Sequence, residues 1–138
     1  QKVGGAPVHL KTNGDWLTWL KMLCFGKVAF VAAPLNYFRK HDKSVIAQIH
    51  QIKDSQSYKE SYDITMRKEF NSFIEHNSIV LPSEVLSKNA YYISLDRGNK
   101  GLFSIKKGDF LSGWWDVITA SFYPKFQSGF IKKGLGLI

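Results

Sequence analysis

Cysteine is almost absent from this chain of 138 residues: Cys24 stands alone, so no internal disulfide is possible and a reducing compartment is permitted. Long apolar runs are missing too. The longest, "VAFVAAPL" at 28–35, is too short to cross a membrane and carries Pro34, and the N-terminus does not read as a signal peptide. Acidic residues are scarce, 11 Asp and Glu against 19 Lys and Arg, and the resulting net charge of +8 calls for an anionic partner. Nucleic acid, phosphate esters and acidic membrane surfaces all qualify. There is no glycine-rich phosphate loop, no Cys/His cluster with metal spacing and no Ser/His/Asp signature. The four histidines (His9, His41, His50 and His76) are scattered, and as isolated features they read as surface residues, with only His41 standing out.

What is present is the composition of a globular protein, 44% hydrophobic and 14% aromatic, with enough residues for one domain with a modest core. The basic charge is uneven. From Arg97 onward, Arg97, Lys100, Lys106, Lys107, Lys125, Lys132 and Lys133 face only Asp109 and Asp116, so +5 of the +8 lies in the last third.

Five helical stretches can be read from spacing and caps. In "TNGDWLTWLKMLCFGK", residues 12–27, Thr12 and Asp15 resemble a capping box with a shorter acid, and an anion in the first turn is favoured by the helix dipole. Trp16, Trp19, Leu20, Leu23 and Cys24 then form an apolar stripe, with Gly26 as a stop. On this local reading Asp15 is a capping residue. From Ser57 to about Asn77, Tyr58, Tyr62, Met66, Phe70, Phe73 and Ile74 recur at steps of three and four, as core packing of a long helix does. Pro82 ends what precedes it, Ser83 is suited to cap a helix running toward Arg97, and "RGNKG" at 97–101 is a weak point expected to kink or interrupt it. Another helix is expected from Asp109, an N-cap after Gly108, and Pro124 is suited to start a last one. Between the first helix and these, "KVAFVAAPLNYFRKH" at 27–41 reads as two short strands broken at Pro34. Strand alternation would place Leu35, Tyr37, Arg39 and His41 on one face, and "DKS" at 42–44 is a turn.

Residues 1–45 resemble the second half of the catalytic domain of a family 2 glycosyltransferase of the A-type fold, bacterial cell-surface polysaccharide type. The resemblance is carried in order by the Val-Gly-Gly of 3–5, Asp15 followed by Trp16 and the "WL" of the helix, Gly26, a hydrophobic strand, "PLNYFRKH" at 34–41 and Ser44-Val45. It implies a nucleotide-diphospho-sugar donor and a glycan or lipid-linked acceptor. Gly4 and Gly5 then belong to the opening of the acceptor-side loop, Asp15 matches the second acid of a pair and the general base, and Trp16 walls the sugar site. Arg39 and His41 match residues near the nucleotide diphosphate, where such a histidine can also approach a metal. A helix start that favours an anion is a suitable place to hold a carboxylate that deprotonates an acceptor hydroxyl. A strand face offering Arg39 and His41 suits a diphosphate leaving group.

The expected fold is mostly α with a small β element (α+β). It would comprise an acceptor-side C-terminal portion of the catalytic domain over residues 1–50, from an A-type α/β fold, and a helical C-terminal extension over 51–138. Gly14 stands where the family usually has the first acid, and Ala6-Pro7-Val8-His9 replaces a common aromatic-acidic stretch. The nucleotide-binding strands and the acidic motif for Mg²⁺ or Mn²⁺ precede the acceptor half in that family. The chain, beginning at Gln1, is therefore expected to be an inactive piece of a longer enzyme, with its metal ligands mostly elsewhere and an exposed sheet edge prone to self-association. Such an enzyme would be cytoplasmic, on the inner membrane face, with the basic, aromatic tail as its peripheral contact and no nucleic acid as partner. The alternative is a basic helical module that binds nucleic acid or an anionic membrane surface. Against nucleic acid, the aromatics fall at helical core spacing and no recognised nucleic-acid motif is present.

Overall fold

The computed structural model describes residues 3–34, 37, 41–51 and 55–123. Five helices follow in order: α1 (Gly14–Leu23), α2 (Val45–Gln51), α3 (Ser55–His76), α4 (Ser83–Lys106) and α5 (Phe110–Ser121). No strand occurs among the described residues, which corrects the expected β element and the α/β fold it was to belong to. A strand is stable only when its backbone groups are paired with a neighbour. Residues 27–34 run without such a partner, and Val28, Phe30 and Val31 are exposed. High β propensity there has no strand to pair with among the described residues. The second expected strand, including Arg39, lies largely outside the described residues.

α3 is the central element, contacted by α1, α2 and α4. Its expected stripe holds: Met66, Phe70 and Ile74 are buried together with Leu10 and Leu17, and Tyr62 and Phe73 pack against them. Leu20, Cys24, Ile79 and Leu81 complete this cluster. The Cys24 thiol donates to the Leu20 carbonyl at 3.4 Å, and burial pushes its pKa up. Tyr58's side chain lies outside the described residues.

The α1 stripe is rotated from its expected position. Leu17 is fully buried at 0% exposure, whereas Trp16, Trp19 and Leu23 are exposed. Leu17, Leu20 and Cys24, spaced three and four apart, make the inward face.

α4 and α5 form an antiparallel hairpin. The turn at Lys107–Asp109 passes through Gly108 at φ +91°, a conformation that L side chains rarely adopt, and Asp109 caps α5 as expected by accepting from the Ser112 N–H at 3.3 Å. "RGNKG" does not interrupt α4, which runs through it unbroken to Lys106. A Cβ on Gly101 would sit 2.6 Å from the Gly113 carbonyl oxygen, and one on Gly113 would sit 2.6 Å from the Gly101 carbonyl oxygen. The two glycines let the helix backbones meet. Pro82, not Ser83, occupies the N-cap of α4, and no side chain caps that end. The helix expected from Pro124 lies outside the described residues.

Candidate functional site

The segment 6–13 is folded under the N-terminus of α1. The Leu10 N–H donates to the Pro7 carbonyl at 3.2 Å, which turns the chain and drives Leu10 into the core at 4% exposure. Asn13, not Thr12, is the N-cap residue, and its carbonyl accepts the first helical bond from the Leu17 N–H at 3.0 Å. Asn13 is itself buried: its amide donates to the Asp63 carboxylate of α3, and the Thr12 hydroxyl donates to its side-chain oxygen. Thr12 therefore does not cap the helix directly. His9 and Glu69, 2.5 Å apart, tie the same loop to α3 a turn and a half further along.

Asp15 lies in the first turn and is exposed. Its carboxylate accepts from the Trp16 N–H at 2.8 Å, one of the amides a helix start leaves without an internal partner. Trp16, at 58% exposure, and Trp19 lie on the same solvent face as Asp15, at 100° per residue. A carboxylate thus stands at the head of an exposed indole surface, on a helix anchored from behind by Leu17. Such a surface can accept a hydroxyl proton and cover an apolar ring face with a wide aromatic plane.

Gly14, where the resemblance would place a first acid, is held to a small residue by its surroundings. It is buried, and a Cβ there would come within 3.1 Å of the Pro7 carbonyl oxygen, so a larger residue would have to push the loop away from the helix start. Gly4 adopts φ +67°, and both it and Gly5 are exposed with open space around them. His41 is exposed, and its carbonyl accepts from the Ser44 N–H at 3.0 Å in the turn that leads into α2. Arg39 lies outside the described residues. Nothing among the described residues links His41 to Asp15 by a hydrogen bond or ion pair. Among them there is also no group of three or more His, Cys, Asp or Glu side chains placed to hold a metal ion, so no described residue joins His41 as a co-ligand.

A second polar constellation escaped the sequence reading. At the α3–α4 seam, Arg67 donates to the Asn89 side chain at 3.2 Å, lies 4.7 Å over the Tyr92 ring and faces the Asp96 carboxylate at 3.6 Å. The Asn89 amide donates in turn to Asn71 at 2.7 Å. Its signal was present: Asp63, Arg67 and Asn71 repeat at steps of four along α3, and Asn89, Tyr92 and Asp96 follow at steps of three and four along α4. Burial pushes the Asp96 carboxyl from its ordinary 3.8 up to about 6, against the pull of Arg67 and with a further push from Asp63.

No protein-family model, curated protein or solved structure matches this chain.

Proposed function

We propose that these residues are the acceptor-side part of a glycosyltransferase that moves a sugar from a nucleotide-diphosphate donor to a glycan or lipid-linked acceptor, with Asp15 as general base. The observation that carries the reading is the exposed Asp15 carboxylate beside the exposed Trp16 and Trp19 indoles at the start of a firmly seated helix. The resemblance of residues 1–45 supports it, and the all-helical arrangement of the described residues lends it no weight. In the reaction, the acceptor hydroxyl gives its proton to Asp15 as its oxygen bonds to the anomeric carbon of the donor. The bond from that carbon to the diphosphate oxygen breaks, and the diphosphate departs with the electron pair. Trp16 would cover the acceptor sugar ring. Arg39 and His41 would take up the negative charge of the leaving group, a role that rests on the resemblance alone. Nucleotide sugars place such an enzyme in the cytoplasm; no helix of the described residues is long and apolar enough to cross a membrane.

The test is Asp15→Asn in the enzyme encoded by the full reading frame. Asparagine keeps the shape and an oxygen to accept from the Trp16 N–H, so the melting temperature should hold while turnover falls about a hundredfold or more. Unchanged turnover at saturating donor would reduce Asp15 to a helix-start residue.

A further inference from the structure

α5 is reversed from an ordinary surface helix: its small side faces inward and its bulky apolar side faces outward. Gly113, Val117 and Ala120 are buried against α4, while Phe110, Leu111, Trp114, Trp115, Ile118 and Phe122 are exposed, Leu111 at 91% and Phe122 at 80%. At 100° per residue these six fall within about 140° of arc, one continuous apolar face along a helix about 18 Å long. The acids are turned away from it. Asp116 lies on the far side of the wheel and is paired with Lys100 at 3.3 Å, and Asp109 is engaged as the cap of α5. Lys106 and Lys107, both exposed, stand at the end of α4 where the apolar face begins.

We propose that this face of α5 seats on an anionic lipid bilayer surface, with the helix lying in the plane of the headgroups. Trp and Phe are the side chains that settle at that depth, and Lys106 and Lys107 would meet the acidic headgroups beside them. The concentration of +5 net charge from Arg97 onward supplies the attraction that apolar contact alone does not. Single-stranded nucleic acid fits less well, because Leu111 and Ile118 offer bases no ring to stack on. The proposal does not depend on glycosyl transfer.

Sedimentation of the full chain with vesicles tests it, comparing phosphatidylglycerol mixed into phosphatidylcholine with phosphatidylcholine alone. The chain is expected to sediment with the anionic vesicles and to be released by salt. Leu111→Ser with Trp115→Ser, both at exposed positions, should weaken binding about tenfold or more, and Lys106→Gln about fivefold. If circular dichroism shows that the double variant has lost helix, Leu111→Ser alone carries the comparison. Equal binding by wild type and variant, equal binding to neutral vesicles, or no vesicle binding would overturn the proposal. So would a wild-type dimer that ignores vesicles and that the double variant converts to monomer, since a second copy would then be the occupant. Preference for a single-stranded oligonucleotide over vesicles would overturn it as well.

Discussion

Asp96 carries a carboxyl group into the seam between α3 and α4, where desolvation outweighs the attraction of Arg67 and holds its pKa at about 6. The folded state therefore favours the protonated acid. The stabilisation is complete below the ordinary 3.8 and is lost as pH rises through about 6, the reverse of a well-paired carboxylate. Melting temperatures measured across that window should fall with rising pH, and Asp96→Asn, neutral throughout, should flatten this part of the slope. A slope unchanged in the variant would assign it to other groups. Leu17 poses a simpler question. It has no exposed surface and joins α1 to the α3 core, so Leu17→Ala should cost about 2–5 kcal/mol in denaturant unfolding. Trp19→Ala, at a residue 57% exposed, should cost much less, although both positions are apolar in the sequence.

At the scale of elements, the α4–α5 crossing depends on the absence of two side chains. A methyl group on Gly113 would meet the Gly101 carbonyl oxygen and the Ile105 side chain, each at 2.6 Å. Gly113→Ala gains about 1 kcal/mol of helix propensity but should lose about 1–3 kcal/mol to overpacking, because a backbone carbonyl cannot move aside cheaply. A lower melting temperature is expected, whereas Gly26→Ala, with its nearest neighbour at 3.6 Å, should stay within about 0.5 kcal/mol of wild type. A stabilised Gly113→Ala protein would mean that the helices cross less closely. The same pair shows what the sequence could and could not reveal. Asp109 announces its cap and α3 its stripe, because both signals are local. Gly101 in "RGNKG" looked like part of a break because its close contact is with another helix. The hydrophobic run at 27–34 looked like strand because propensity says nothing of whether a partner exists. At the candidate site, the acid and the tryptophan were visible in the sequence, but the loop over Gly14 and the direction of the indoles were not.

Across the whole molecule, α3 joins two packing regions: the Leu17–Met66–Phe70 cluster on the α1 side and the glycine crossing of α5 beyond α4. Leu17 and Gly113 share no neighbour in these regions, so the costs of Leu17→Ala and Gly113→Ala should add to within about 0.5 kcal/mol in the double variant. A larger deviation would reveal coupling carried through α3. The tryptophans make a different point about the molecule as a whole. All four of them (Trp16, Trp19, Trp114 and Trp115) are more than half exposed, at 58%, 57%, 55% and 69%. Intrinsic emission from the native protein should already lie near the wavelength of indole in water, and unfolding should shift it little. Fluorescence is therefore a poor witness to this fold, and its stability has to be followed by helical dichroism. By the same token, any ligand that dries those rings would announce itself in blue-shifted light against an almost silent background.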